Sequence, residues 1–409
     1  MDSRQTLCVG VLALMLGNGQ TCPAQNKAID RTKLRGYATR KAATRAELVK
    51  KHGGNAASEA AVERGLLWLA LHQAPDGHWC LDVFPKYHRD KLTDQRAKDM
   101  TGKLTGTATR SNDIAGTAFG LLPFLGAGHS HKQGKYKNSV LRGLTFLVRK
   151  QKKDGDFGGG MYAHGLAAQT MCEAYGMSGD QRLRRSAMLA LNYILLAQDP
   201  KTGGWRYRPR QAGDTSVTGF QLNAIKAAVD AGLLKLRKAT VTGASKFLDS
   251  VEVTGPGGVK LGQFGYTAPT RGRYTLTAVG LLGRAILGSS RDEKWWETGM
   301  TSLRAYTADR TAGRDMYYTY YRTQISFHLG GVHWKHCNEG QGGKKGLRDT
   351  LISLQEQKKG TPEYGSWNPR GRRHGTAGGR IMTTSLSLLC LEAYYRYPPI
   401  FDADKTKGK

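Results

Sequence analysis

The chain has 409 residues with 39% hydrophobic content, 53 glycines and only 12 prolines. That is enough to bury a large core, and glycines gathered at turns and at the starts of helical runs speak for close packing rather than disorder. The formal charge of +30 is read either as a solvated basic surface or as the footprint of a polyanion, an acidic polymer or an anionic membrane surface; no zinc finger, homeodomain or aromatic RNP pattern accompanies it, which argues against nucleic acid.

The chain opens with Arg4, an apolar run over Thr6–Leu16 and small residues at Cys22-Pro-Ala24. Residues 1–25 therefore read as a signal peptide, and the expected location is exported, periplasmic or extracellular. The run is too short to span a bilayer as a stable helix. Beyond it lie Cys80, Cys172, Cys337 and Cys390 with no C-x-x-C pair; Cys172 and Cys390 sit in apolar runs and are expected to be buried thiols. Residues 26–58 are polar and basic without sustained apolar period and read as a basic tether or a loosely packed helix.

From residue 59 to 400 the chain alternates helix, glycine turn, helix. The first hairpin starts at Ala60, with Val62, Leu66, Leu67 and Leu69 at helical spacing, and continues after a charged loop into Asp113–Ala127. The following pairs are Ser139–Lys150 with Tyr162–Tyr175, Leu183–Ala197 with Ser216–Ala231, and Ala244–Val251 with Tyr274–Leu287. Trp295–Tyr306 with Met316–His328, a weaker copy, and Leu347–Gln357 with Met382–Tyr395 complete the series. The turns read DGHW at 76–79, DGDFGGG at 154–160, KTGGWRY at 201–207, GQFGY at 262–266 and GSW at 365–367. In each pair the first helix carries more charge and the second is apolar nearly all round, so the second must be enclosed. Six enclosed helices ringed by six amphipathic ones form an all-α (α/α)6 toroid with few or no strands. Residues 401–409 read as a disordered basic tail.

The lines GLLWLALHQAPDGHW, LTFLVRKQKKDGDFGG and YILLAQDPKTGGWRY resemble the repeat of the squalene cyclase and protein prenyltransferase family, with Gln73, Gln151 and Gln198 before the turn. Gly77 with Trp79, Gly155 with Phe157, and Gly204 with Trp205 fill the turn itself. The likeness implies a terpenoid cyclase-like toroid with an apolar cavity that takes an isoprenoid-like ligand. More narrowly, MYAHGLAAQTMCEAYGMSGD and GGRIMTTSLSLLCLEAYYRY resemble an uncharacterised exported branch from planctomycete-like bacteria, which implies no activity. The family's reactive motifs are incomplete. Of the D-x-D-D-T acids of the cyclases, Asp113 remains with Thr117, and Asp214 with Thr215. The Asp-x-Cys zinc pair of the prenyltransferases is missing, and His333, His336, Cys337 and Glu339 read as a polar helix end. No metal or other cofactor is expected.

Aligning the inner helices places Asp113, His164 and Asp214 at corresponding starts. A closed ring is expected to bring His164 between the two carboxylates, as a general acid–base group for a cyclase-like isomerase or a prenyltransferase-like enzyme, or as a set that could bind a metal. The competing reading makes Asp113 and Asp214 helix N-caps and His164 a hydrogen-bonding residue at a crowded glycine-rich interface. Around them Tyr162, Phe220, Tyr274, Asp315, Tyr317, Tyr318 and Arg380 are the candidates for ligand binding, because so many phenols near helix starts need polar partners or water. A third reading is an interaction module that binds an acidic polymer through its basic surface. The sequence carries no signal for an oligomeric state.

Overall fold

The computed structural model describes residues 35–89, 104–369 apart from Leu236 and Gly313, and 375–401. The signal peptide and most of the tail expected from the sequence lie outside them. Two helices, α1 (Arg35–Ala38) and α2 (Ala42–Lys51), precede the repeats. The hairpins are α3 (Ala56–Leu71) with α4 (Asp113–Gly126), α5 (Lys137–Lys150) with α6 (Gly160–Ser178), α7 (Gln181–Ala197) with α8 (Thr215–Asp230), and α9 (Lys238–Val251) with α10 (Tyr274–Ile286). After α11 (Trp295–Ser302) and the short α12 (Ala308–Thr311) come α13 (Met316–Leu329) and α14 (Gly331–Asn338). The last hairpin is α15 (Leu347–Leu354) with α16 (Gly375–Leu391), followed by α17 (Ala393–Arg396).

The second members pack side by side in the order α4, α6, α8, α10, α13, α16 and back to α4, so the ring closes. Burial separates the two layers. In α5 only Val140, Gly143, Leu144, Phe146 and Leu147 are buried, a single stripe. In α4 every residue after Asp113 is buried. An outer helix needs one apolar stripe, and an inner helix needs small or apolar side chains all round.

The Gln position of the repeat is the clasp between neighbours. Gln73 Nε2 donates to Gly77 O of its own turn at 2.8 Å and to Ser139 O of the next outer helix at 2.9 Å. Gln151 joins Gly155 O to Ser186 O, and Gln198 joins Gly203 O to Thr240 O, in the same manner. Gln355 Nε2 donates to Gly365 O and to Ala61 O, both at 2.8 Å, and so ties the last hairpin to the first. Each clasp brings the turn glycine against the neighbouring helix. A Cβ on Gly77 (φ +102°) would lie 2.4 Å from Arg142 O, and one on Gly365 (φ +92°) would lie 2.4 Å from Arg64 O. At these two positions only glycine meets both the conformation and the approach. The turn tryptophans donate back to their own outer helices: Trp79 Nε1 to Leu69 O at 2.7 Å, Trp205 Nε1 to Ile194 O and Trp367 Nε1 to Leu351 O at 2.8 Å.

The weaker copies differ from expectation at their edges. The fourth turn is a small antiparallel hairpin, β1 (Glu252–Thr254) with β2 (Lys260–Phe264), and Glu252 stands where the clasp glutamine would be. Arg284 Nη2 holds it at 2.6 Å. A second pair, β3 (Gly340–Gln341) with β4 (Lys344–Lys345), follows α14. Helix α11 ends at Ser302 rather than Tyr306. The four cysteines Cys80, Cys172, Cys337 and Cys390 are buried free thiols.

Over the described part of residues 26–58 the chain is helical and packs on the repeats. Tyr37, Arg40 and Val49 are buried. Tyr37 donates to Ala227 O at 2.9 Å, and Arg45 pairs with Glu59 at 2.6 Å. Arg40 and Arg45 have acidic partners, Glu173 and Glu59, inside the same chain, which local composition does not show.

Candidate functional site

The inner helices run parallel, so their N-terminal ends meet at one mouth. Asn112 Nδ2 donates to Gly159 O at 3.1 Å, and the Tyr317 hydroxyl donates to Ser216 O at 3.3 Å, joining helix starts. Between α8, α10 and α13 this mouth opens into a cleft of about 430 Å³. Tyr162, Tyr207, Tyr266, Tyr274 and Tyr317 supply its rings, and Ser216, Arg273 and Thr275 its other polar groups.

Three of these were expected from the sequence: Tyr162, Tyr274 and Tyr317. Phe220, another candidate, is buried and does not line the cleft; its ring packs 5.4 Å from Tyr162 and 5.6 Å from Tyr317. Asp315 caps α13 through the Tyr318 N–H at 3.0 Å, and its other oxygen accepts from Thr275 at 3.2 Å and from Tyr274 at 3.4 Å. It therefore orients two lining side chains. Tyr274 is further fixed by stacking on Tyr306 at 4.0 Å. Tyr318 turns outward, its hydroxyl donating to Tyr306 O at 3.2 Å. Arg380 is buried elsewhere: Nε donates to Thr105 O at 2.9 Å and Nη1 to Ser366 Oγ at 3.0 Å. Those two candidates are structural: Tyr318 bonds the backbone of its own repeat, and Arg380 ties the last repeat to the loop of the first.

The expected Asp–His–Asp triad does not form. His164 Nδ1 accepts from the Phe157 N–H at 3.3 Å, so Nε2 carries the proton and donates to Ala190 O at 3.1 Å. In four other repeats a threonine fills that place: Thr117, Thr218, Thr277 and Thr384 accept from the backbone N–H of Trp79, Trp205, Phe264 and Trp367. His164 is the same turn-to-helix strut with a longer side chain. Asp113 is not an N-cap either, because Asn112 Oδ1 takes the Ala115 N–H at 3.0 Å. Asp214 does cap α8, accepting from Val217 N–H at 2.9 Å.

Asp214 is nonetheless unlike an ordinary cap. It is fully buried, and its Oδ2 has no hydrogen-bond partner within the described residues. Arg206 Nε stands 3.8 Å from that oxygen. Burial pushes the carboxyl above its ordinary range, against the pull of the Val217 N–H, Tyr266 and Arg206. Tyr266 lies between this carboxyl and the cleft, and its hydroxyl meets that of Tyr207 at 2.5 Å. Burial also raises the phenols of Tyr162, Tyr266 and Tyr317, which keeps them protonated donors. The arrangement is a set of aromatic faces and neutral donors, with a protonatable carboxyl behind them.

Tyr207 and Tyr266 are absent from the sequence-derived candidates, although a signal for them exists. Each follows the turn aromatic by two residues, after Trp205 and Phe264, so the repeat register puts them at equivalent places in adjacent hairpins. Arg273 carries no such mark.

No family's sequence profile matches the chain, and no curated protein matches it by sequence. Solved structures do match. The α-1,6-mannanase GH76A of Salegentibacter sp. HEL1_6 superposes with a TM-score of 0.56 at 10% identity, over 82% of this chain and 98% of that one. A type II terpene cyclase, MstE from Scytonema, superposes as a variant in complex with geranylgeranyl dihydroxybenzoate, with a TM-score of 0.51 at 13% identity, over 84% of this chain and 98% of that one. The fold is the terpenoid cyclase-like α/α toroid. At these identities the likeness concerns the fold, and the chemistry rests on the site.

Proposed function

We propose that the protein is an exported ligand-binding toroid whose ligand has an apolar, isoprenoid-like body and a polar end. The ligand lies in the tyrosine cleft at the N-terminal mouth. The observation that carries this reading is the cleft itself, where five phenol rings offer apolar faces while Ser216, Arg273 and Thr275 offer polar groups. The terpene cyclase neighbour binds a geranylgeranyl-bearing substrate on the same fold. Mass spectrometry of small molecules extracted from protein purified from its native host tests the reading. A retained lipid supports it; a retained glycan, the ligand class of the mannanase neighbour, or a consistently empty cleft overturns it.

One observation favours a catalytic version. A carboxyl that burial raises above its ordinary range, behind the cleft, has the character of a general acid toward an alkene or similar group. Asn also caps helices well, so Asp214→Asn keeps the fold and removes only the proton. Unchanged conversion of the extracted ligand by that variant would remove the enzyme reading and leave the binding one.

A further inference from the structure

The first turn and the start of α4 gather three different metal-ligand types. His78 and Cys80 flank the buried Trp79, and Asp113 opens α4. One ligand atom from each of His78, Cys80 and Asp113 lies within 4.8 Å of the other two, with His78 Nε2 and Asp113 Oδ1 3.9 Å apart. We propose that these residues form a divalent transition-metal site, with zinc as the cation that their chemistry fits.

Four features carry the proposal. Imidazole nitrogen, thiolate and carboxylate are the donors that zinc takes, at bond lengths of about 2.0–2.3 Å, which set the donor atoms of a tetrahedral ion about 3.3–3.7 Å apart. The present spacing reaches that range by small side-chain movements. Second, Asp113 has no capping duty, since Asn112 holds the helix start. Its Oδ1 is turned inward with no hydrogen-bond partner within the described residues, although the side chain as a whole is 41% exposed. Third, His78 is oriented from behind: its Nδ1 meets Asp76 Oδ1 at 2.5 Å, which directs Nε2 toward the cluster. A carboxylate behind a ligating histidine fixes the tautomer that presents a lone pair to a metal. Fourth, the Cys80 thiol is buried yet held beside a carboxylate, donating to Asp82 Oδ1 at 3.0 Å. On metal binding the thiol proton leaves to solvent and the sulfur becomes the ligand.

Three protein donors leave one tetrahedral position open, for water, a ligand or Asp82. The site stands at the N-terminal end of an inner helix, as the tyrosine cleft does. It does not depend on the ligand assigned to that cleft.

The test uses the full chain, stripped of metal and titrated with zinc and with cobalt(II). The expected result is one ion per chain by elemental analysis, with a thiolate-to-cobalt charge-transfer band. Cys80→Ser abolishes that band, and Asp113→Asn weakens binding without unfolding the chain, because the Asn112 cap remains. Asp76→Asn, which touches only the orienting carboxylate, weakens binding about 10- to 100-fold. Circular dichroism accompanies each variant. Absence of binding by the native chain overturns the proposal, as does a cobalt spectrum unchanged in Cys80→Ser or zinc affinity unchanged in Asp113→Asn. Should Cys80→Ser fail to fold, the spectrum and stoichiometry of the native chain and of Asp113→Asn still decide.

Discussion

At the C-terminal mouth of the inner ring, Arg40 and Arg396 converge on Glu173, each at 2.7 Å, and Tyr37 reaches across to Ala227 O. A space of about 20 Å³ is left there, room for about one water. At the N-terminal mouth the same hairpins leave a cleft of about 430 Å³. The difference comes from what enters each mouth. α1 and the turn after it insert Tyr37 and Arg40 at one end, whereas at the other the repeat turns stand apart and present tyrosines. Among the described residues, the larger of these two spaces therefore lies at the N-terminal mouth. One end of the ring is shut by an ion-paired cluster, and at the other the hydrogen-bonded tyrosines surround open space.

Breaking the closed mouth should have the largest effect. Arg40→Ala leaves Glu173 buried with half its counter-charge, and a loss of about 3–5 kcal/mol is expected by denaturant titration. Ligand retention per folded molecule should be unchanged, because the cleft is at the opposite end. Gln355→Ala comes next. It leaves Gly365 O and Ala61 O without their shared donor at the ring's seam, at a cost of about 1–3 kcal/mol. Protection of amide hydrogens in α3 and α15 should fall before that in α8.

The pH dependence sharpens the contrast inside the closed mouth. Burial alone would raise the Glu173 carboxyl, but Arg396 and Arg40 outweigh it and hold it below its ordinary value. Its contribution is present above the unfolded pKa and is lost as pH falls through the folded one. Glu392 is raised well above its ordinary value by burial, which Arg396, Arg45 and Arg40 do not overcome and Glu59 reinforces. Its contribution is present below the unfolded pKa and is lost as pH rises through the folded value. Glu392→Gln should therefore flatten the decline in stability on the alkaline side while leaving the acid side, governed by Glu173, intact.

The smallest stability effects are expected at the open mouth. Asp214 is raised in the fold, so it too stabilises most below its unfolded pKa and loses that contribution as pH rises. Asp214→Asn keeps the cap, and its stability relative to the native chain should improve as pH rises above about 4. Tyr207→Phe, at a half-exposed rim position, should change stability by no more than about 0.5 kcal/mol. Its effect should appear in ligand retention, through loss of the phenol pair with Tyr266.

The hairpin order, the two helix classes and the closed ring were legible because burial imposes a pattern on each helix separately. The glutamine, glycine and tryptophan of each turn were legible for a related reason: each repeat reuses one local hydrogen-bond scheme. The candidate site was legible only in part. Tyr162, Tyr274 and Tyr317 stand at helix starts whose direction the repeat already sets, and they line the cleft. His164 did not follow its apparent chemistry, because the repeat has a strut position there that four threonines fill and one histidine fills equally well. Asp113 lost its assumed capping role to the residue before it, a distinction of one position that sequence does not resolve.

By itself, then, the sequence determined the layers, the closure and the polarity of the ring, since these depend on periodicity and on short-range contacts repeated hairpin after hairpin. Only the tertiary structure decided which mouth is shut, which tyrosines face open space, and which carboxylates have partners. Those outcomes depend on residues far apart in the chain, such as Arg40 with Glu173 and Tyr207 with Tyr266, and no local pattern encodes their meeting.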